Sequence, residues 1–240
     1  MRAALLEAPQ RRSLRIAETF ADTVQGEGPS TGTPALFIRF MLCNLICRGC
    51  DTPYTWDSSR FDLRAESKWR SIDDLLGWVL GRPEKLVVIT GGEPLLQPEL
   101  LTLVQELRAA GRDVEIETNG TIPPAKELVD AGPWFNASPK LSGFGSGMPQ
   151  SRRIVPDALR ALAASGRTRW KFVVTDPCEL DEIAGLEATY GLAPISVMPE
   201  GTTPEAVLDG MRTLVEPVAG RGWRLGTRLH VLLWGDERGR

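Results

Sequence analysis

Short apolar, β-branched runs alternate with longer amphipathic stretches along most of the chain, and this alternation limits the possible folds more than any other feature. "ALFIRFML" (Ala35–Leu42), "KLVVIT" (Lys85–Thr90), "DVEIET", "WFNAS", "WKFVVT" and "ISVMP" read as strands. "SIDDLLGWVL" opens with Ser71 as a cap and acids in its first turn, a helix start. "PELLTLVQELRAAG" begins with Pro98, stops at Gly111 and sets Leu100, Leu101, Val104 and Leu107 on one helical face. "PAKELVDAG", "PDALRALAASG", "ELDEIAGLEATYG" and a last helix around Pro204–Val215 complete the series. An N-terminal arm of about residues 1–20 carries a further strand at Leu14–Phe20. About six β/α units in alternation predict an α/β chain with a parallel sheet, open or partly rolled into a barrel. Reactive groups in such folds gather at the C-terminal strand ends. The least ordinary turns of this chain fall there: "CNLICRGCDT", "TGGEP", "ETNGT", "SPK" and "MPEG".

With 240 residues and 42% hydrophobic content the chain can bury one core without disulfides, and residues 1–240 are read as a single domain. Net charge is -3, and the 28 Lys and Arg are spread out, which argues against a nucleic-acid groove. Clusters such as "QRRS" (Gln10–Ser13) are read as solvated surface. The opening "MRAALLEAPQRRS" lacks the apolar length and cleavage pattern of a signal peptide. No apolar run approaches the ~20 residues of a membrane span. The expected address is the cytoplasm, where clustered thiols stay reduced and serve as metal ligands.

Three of the four cysteines, Cys43, Cys47 and Cys50, share one loop at the end of a strand with the spacing Cys-x3-Cys-x2-Cys. Thiolates so close together can converge on one metal centre. Iron–sulfur clusters are normally held by four thiolates. Cys178, in the distant "TDPCEL", would close such a site; without it one iron stays open to a small molecule, as catalytic zinc sites keep an open position. A structural zinc with His230, the only histidine, as fourth ligand is the other reading.

The cysteine loop resembles that of the radical S-adenosylmethionine superfamily. "TVQGEGPSTGTPALFIRFMLCNLICRGCDTPYTWD", "TGGEPLL", "ETNGT", "SPK" and "RLHVLLWG" together resemble the 7-carboxy-7-deazaguanine synthases over most of the chain. The resemblance implies a partial (βα)6-type TIM-like barrel and a [4Fe-4S] cluster on Cys43, Cys47 and Cys50. S-adenosylmethionine would chelate the open iron, and its cleavage would yield a 5'-deoxyadenosyl radical. It implies that 6-carboxy-5,6,7,8-tetrahydropterin loses hydrogen at C6, contracts, releases ammonia and becomes 7-carboxy-7-deazaguanine, a 7-deazapurine of the queuosine route. It also implies a reducing partner such as flavodoxin or ferredoxin, and a homodimer.

Residue by residue, the resemblance assigns the cofactor to Gly49, Cys50, Asp51, Gly91, Gly92, Glu93, Ser138, Pro139 and Lys140. Gly91 and Gly92 let backbone approach at a strand end, and Glu93 can accept from an ammonium. Gly49 departs from the superfamily, where an aromatic residue is common. Thr52, directly after "CD", is implied as the protein ligand of Mg2+, a cation that takes few protein oxygens. Substrate falls to Val24, Gln25, Gly26, Glu27, Arg39, Thr90, Glu117 and Asn119, with Arg39, Glu27 and His230 in catalytic roles. Arg39, a guanidinium in an apolar strand, needs an anion: the substrate carboxylate, or an internal acid. An activase making a glycyl radical on a partner protein would share the cysteine loop but would not need "QGEG" or Thr52. A non-catalytic iron–sulfur or zinc module would leave the glycine-rich strand ends unexplained.

Overall fold

The β-branched runs become strands and the amphipathic stretches cover them. The computed structural model describes residues 12–240, so residues 1–11 of the expected arm lie outside the described residues. In chain order the elements are β1 (Ser13–Val24), β2 (Pro34–Phe40), β3 (Lys68–Ser71), α1 (Ile72–Leu80), β4 (Leu86–Thr90), α2 (Leu100–Ala109), β5 (Asp113–Thr118), α3 (Lys126–Asp130), β6 (Trp134–Ala137), α4 (Gln150–Arg153), α5 (Pro156–Ala164), β7 (Thr168–Val174), α6 (Leu180–Tyr190), β8 (Ile195–Pro199), α7 (Pro204–Gly220), β9 (Arg224–Leu225) and α8 (Leu229–Trp234). They build one open sheet in the order β3-β1-β2-β4-β5-β6-β7-β8-β9.

From β2 to β9 every neighbouring pair is parallel, as the alternation predicts. β1 departs from that reading, because it runs antiparallel to both β2 and β3. The reason is chain length: the connection from Val24 to Pro34 is too short for the crossover a parallel pair requires. Ser71 caps α1 as expected, accepting from the Asp74 N–H at 3.1 Å. On α2 the buried face is Leu100, Leu103, Val104 and Leu107; Leu101 sits at its edge and Leu103 replaces it, completing an i, i+3, i+4, i+7 stripe.

The period-two geometry of the strands sorts their side chains between two environments. Leu36, Ile38 and Phe40 of β2, Val87 and Ile89 of β4, Val114 and Ile116 of β5 and Trp170 and Phe172 of β7 pack with the helices in the main core. The alternate positions turn to the other face. At the β2–β4 end they make a small apolar cluster of Ala35, Phe37, Leu86 and Val88. Further along they are polar: Arg39, Thr90, Glu115, Glu117, Asn136, Arg169 and Lys171. The face of the sheet opposite the main core is therefore largely polar and charged.

Candidate active site

The cysteine loop leaves β2 at Phe40 and is pinned at both flanks. Leu42 donates its N–H to the Thr55 carbonyl at 2.8 Å, and its own carbonyl accepts from the Glu93 N–H at 2.8 Å. The second contact depends on Gly91 and Gly92, both in the left-handed region. A Cβ at Gly92 would run into the Leu42 carbonyl, and one at Gly91 into the Arg39 side chain. The two glycines thus let the β4 turn lie flat against the root of the cysteine loop.

The loop is lined by apolar groups and N–H donors. Leu45, Cys47 and Met148 form a buried cluster against Cys43, Cys50 and Phe144. The Phe144 ring lies against Gly49, where a Cβ would press on it. The Lys140 ammonium sits 5.1 Å above that ring and donates to the Ser138 hydroxyl at 3.1 Å. Cys43 Sγ accepts from the Leu45 N–H at 3.4 Å, and Cys50 Sγ from the Trp56 indole N–H at 3.3 Å. Burial pushes the Cys43 thiol up to about 11 and raises that of Cys47 as well.

A second group of side chains is built on buried charge. Glu27 accepts from Lys171 Nζ at 2.6 Å and from Arg228 Nε at 2.9 Å, with His230 Nε2 4.0 Å away. Burial alone would raise the Glu27 pKa, but Lys171 and Arg228 outweigh it and hold the carboxyl well below its usual range. Lys171 also reaches Glu117 at 3.4 Å, and Glu117 accepts from the Thr90 hydroxyl at 2.6 Å and from Gln25 at 3.4 Å. Arg228 continues to Asp51 at 2.7 Å, tying this group to the cysteine loop. Arg39 has its internal acid: its Nε donates to Glu18 at 2.6 Å, and Glu18 also accepts from Tyr54 and Arg238. Burial lowers the His230 pKa against the pull of Glu27, so the imidazole is neutral at pH 7.

These two groups face each other across one cavity of about 450 Å³. It brings together the loop residues Cys43, Cys47, Gly49, Cys50, Asp51 and Thr52 with Val24, Gln25, Gly26 and Glu27 of "QGEG" and its flank. Arg39, Thr90, Gly91, Gly92, Glu117, Asn119, Ser138, Lys140 and His230 complete the expected wall. Glu93 and Pro139 do not line it. Glu93 turns inward beneath the cysteine loop, fully buried, and accepts from the Asn119 N–H (2.7 Å), the Leu95 N–H (3.0 Å) and the Thr118 hydroxyl (2.9 Å). It braces the wall from behind. Pro139 is buried beside Gly120.

Lys171, Arg228, Glu18, Trp56 and Phe144 escaped the sequence reading. Lys171 had a signal, a lone cation in the apolar run "WKFVV", the same oddity that marked Arg39 in "FIRF". Arg228 and Glu18 had none, since their importance comes from partners far away in the chain.

The donor set can be tested against candidate metals. Among the described residues no three His, Cys, Asp or Glu side chains converge as a single ion requires. His230 packs on Gly26, and Cys178 is exposed and outside the cavity. Three thiols spread along one loop, with N–H groups aimed at two of them, fit a cluster that takes each on a different iron.

Comparison with known proteins agrees with this geometry. Residues 38–142 match the family model described as the Radical SAM superfamily. The chain is 36% identical to the 7-carboxy-7-deazaguanine synthase of Halobacterium salinarum, over 93% of this chain and 91% of that one. It is 38% identical to that of Rhodopirellula baltica, over 95% and 89%. The crystal structure of QueE from Escherichia coli superposes with a TM-score of 0.68 at 29% identity, covering 91% of this chain and 95% of that one. Streptococcus suis SuiB, at 16% identity and a TM-score of 0.54, shares the fold. The protein is thus a radical S-adenosylmethionine enzyme, a class that carries a [4Fe-4S] cluster and S-adenosylmethionine. Within that class the chain belongs to the 7-carboxy-7-deazaguanine synthases. No helix among the described residues is long and apolar enough to cross a membrane.

Proposed function

We propose that this chain converts 6-carboxy-5,6,7,8-tetrahydropterin to 7-carboxy-7-deazaguanine and ammonia. One observation carries the reading: a loop of three open-site cysteines faces a buried group of Gln25, Glu27, Glu117, Lys171 and Arg39 across a single cavity. Cys43, Cys47 and Cys50 would hold the cluster, which would supply the electron for reductive cleavage of S-adenosylmethionine. The protein's own share is binding, orientation and charge. Arg39, with Nε anchored on Glu18, turns its terminal nitrogens to the substrate carboxylate. Gln25, Glu27 and Glu117 offer a donor and two carboxylate acceptors to the amide edge of the pterin, and Lys171 pairs with both acids. His230, neutral beside Glu27, has one ring nitrogen free to take up a proton that the substrate releases and to return it to the departing amine.

Gly91, Gly92, Ser138 and Lys140 hold the cofactor, and Thr52 supplies the protein oxygen for Mg2+, which steadies the substrate carboxylate. The family likeness further supports a flavodoxin or ferredoxin as reductant, a homodimer, a cytoplasmic address and one domain over the whole chain. The test is anaerobic. Reconstituted protein receives reductant, magnesium, S-adenosylmethionine and the pterin, and the mixture is read by mass spectrometry. 7-Carboxy-7-deazaguanine that disappears when S-adenosylmethionine is omitted is the expected result. Cleavage of S-adenosylmethionine with no such product would overturn the substrate.

A further inference from the structure

We infer that Trp56 sets the reduction potential of the cluster through its indole N–H on Cys50 Sγ; this rests on reading Cys43, Cys47 and Cys50 as the cluster ligands. Indole carries a single donor and no acceptor, so where that N–H points is its only polar statement. Here it points at sulfur, at 3.3 Å.

The local backbone holds it there. Thr55 donates its N–H and its hydroxyl to the Thr52 carbonyl at 3.0 and 2.8 Å, and Trp56 and Asp57 donate to the Pro53 carbonyl at 3.1 and 2.8 Å. The same turn accepts the Leu42 N–H at the root of the cysteine loop, and Thr55 is fully buried. Trp56 is thereby fixed on a turn whose first bonded residue, Thr52, lies two positions after Cys50.

The three sulfurs are not treated alike. Cys43 Sγ has the Leu45 backbone N–H, and Asn119 Nδ2 lies 3.8 Å from it while committed to Asn44 Oδ1 at 2.9 Å. Among the described residues no side chain donates to Cys47 Sγ. Cys50 alone receives a side-chain N–H at full hydrogen-bond length, with the Thr52 hydroxyl a further 3.7 Å contact.

A donor on a ligating sulfur favours the more electron-rich, reduced cluster and so raises its potential. Trp56 also forms part of the wall between the main cavity and a shallow outer groove that Cys47 and Cys50 share. The deciding substitution must therefore keep the bicyclic ring and remove only the N–H, while Trp56→Phe removes the N–H and part of the ring together.

The experiment is an anaerobic spectroelectrochemical titration of the reconstituted cluster in the wild type, in Trp56→Phe, and in a variant with benzothienylalanine at position 56. The last matches the shape of indole with sulfur in place of N–H, which separates the hydrogen bond from packing. Iron and sulfide content equal to wild type, with a one-electron reduction equilibrium about tenfold less favourable, is the expected result. That is a fall of about 59 mV. Unchanged potential in the benzothienyl variant at full cluster content overturns the role of Trp56 and leaves the cluster reading intact. A wild-type chain that binds no cluster would overturn that reading and this inference together.

Discussion

Glu27 is a carboxylate that folding has stripped of water and surrounded with cations. Its relative exposure is 13% at the side chain, against 9% for Lys171 and 8% for Arg228. Each buried ion costs several kcal/mol to desolvate, and only its partners offset that. Glu27→Gln should therefore destabilise the protein by about 3–5 kcal/mol, because two cations would be left with half their compensation. A lowered urea midpoint with unchanged slope would report it. Adding Lys171→Met should recover part of the loss, the signature of a coupled pair.

The same residues give stability a pH dependence of one sign. His230 has a folded pKa below its ordinary 6.5, so as the pH falls past 6.5 the unfolded chain takes up a proton first. The folded Glu27 pKa lies well below 4.5, so its contribution is complete above that value and is lost as the pH falls through the folded one. Stability should drop from pH 7.5 to pH 5.5 through His230 and further in more acid solution through Glu27. Urea titrations across that range, with His230→Asn flattening the upper step, check the assignment.

At the scale of elements, the turn after β4 and the loop after β2 form a single unit. Gly92→Ala would force φ near 48° on a residue with a Cβ and drive that Cβ into the Leu42 carbonyl. The expected outcome is a chain with wild-type circular dichroism but a clearly reduced iron content after reconstitution. Iron and sulfide analysis measures it. The sequence made both glycines visible but not their neighbours: Gly92 lies against the Leu42 carbonyl and Gly91 against the Arg39 side chain. Local signals were legible where the cause is local, as with the Ser71 cap, the parallel strands and the stripe on α2. The antiparallel setting of β1 and β3 was not, since it follows from connection length and pairing partners. The orientation of Glu93 was not legible for a related reason. A residue after a two-glycine turn can face either way, and here three donors draw it behind the wall.

At the scale of the molecule, the sheet separates an apolar face packed by helices from a polar face that lines the cavity. Two layers of charge occupy the polar face. Glu115 pairs with Arg169 at 2.7 Å and also accepts from Asn136 and Ser30, while Glu117 and Lys171 stand next along the same strands. In the first layer Glu115 and Arg169 satisfy each other within the wall, while the buried Asn136 Oδ1 has no partner. The second opens on the cavity, and under the proposed function its charges meet a ligand that has both a carboxylate and an amide edge.

That arrangement can be tested without turnover by equilibrium binding to the magnesium-loaded, reconstituted enzyme. The ligands are 6-carboxy-5,6,7,8-tetrahydropterin and the same pterin lacking its carboxylate, each measured with wild type and Arg39→Ala. Wild type should prefer the carboxylated ligand by tenfold or more, and Arg39→Ala should lose part of that preference, the rest being held by Mg2+. Equal binding of the two pterins by wild type would contradict a cavity built around the carboxylate.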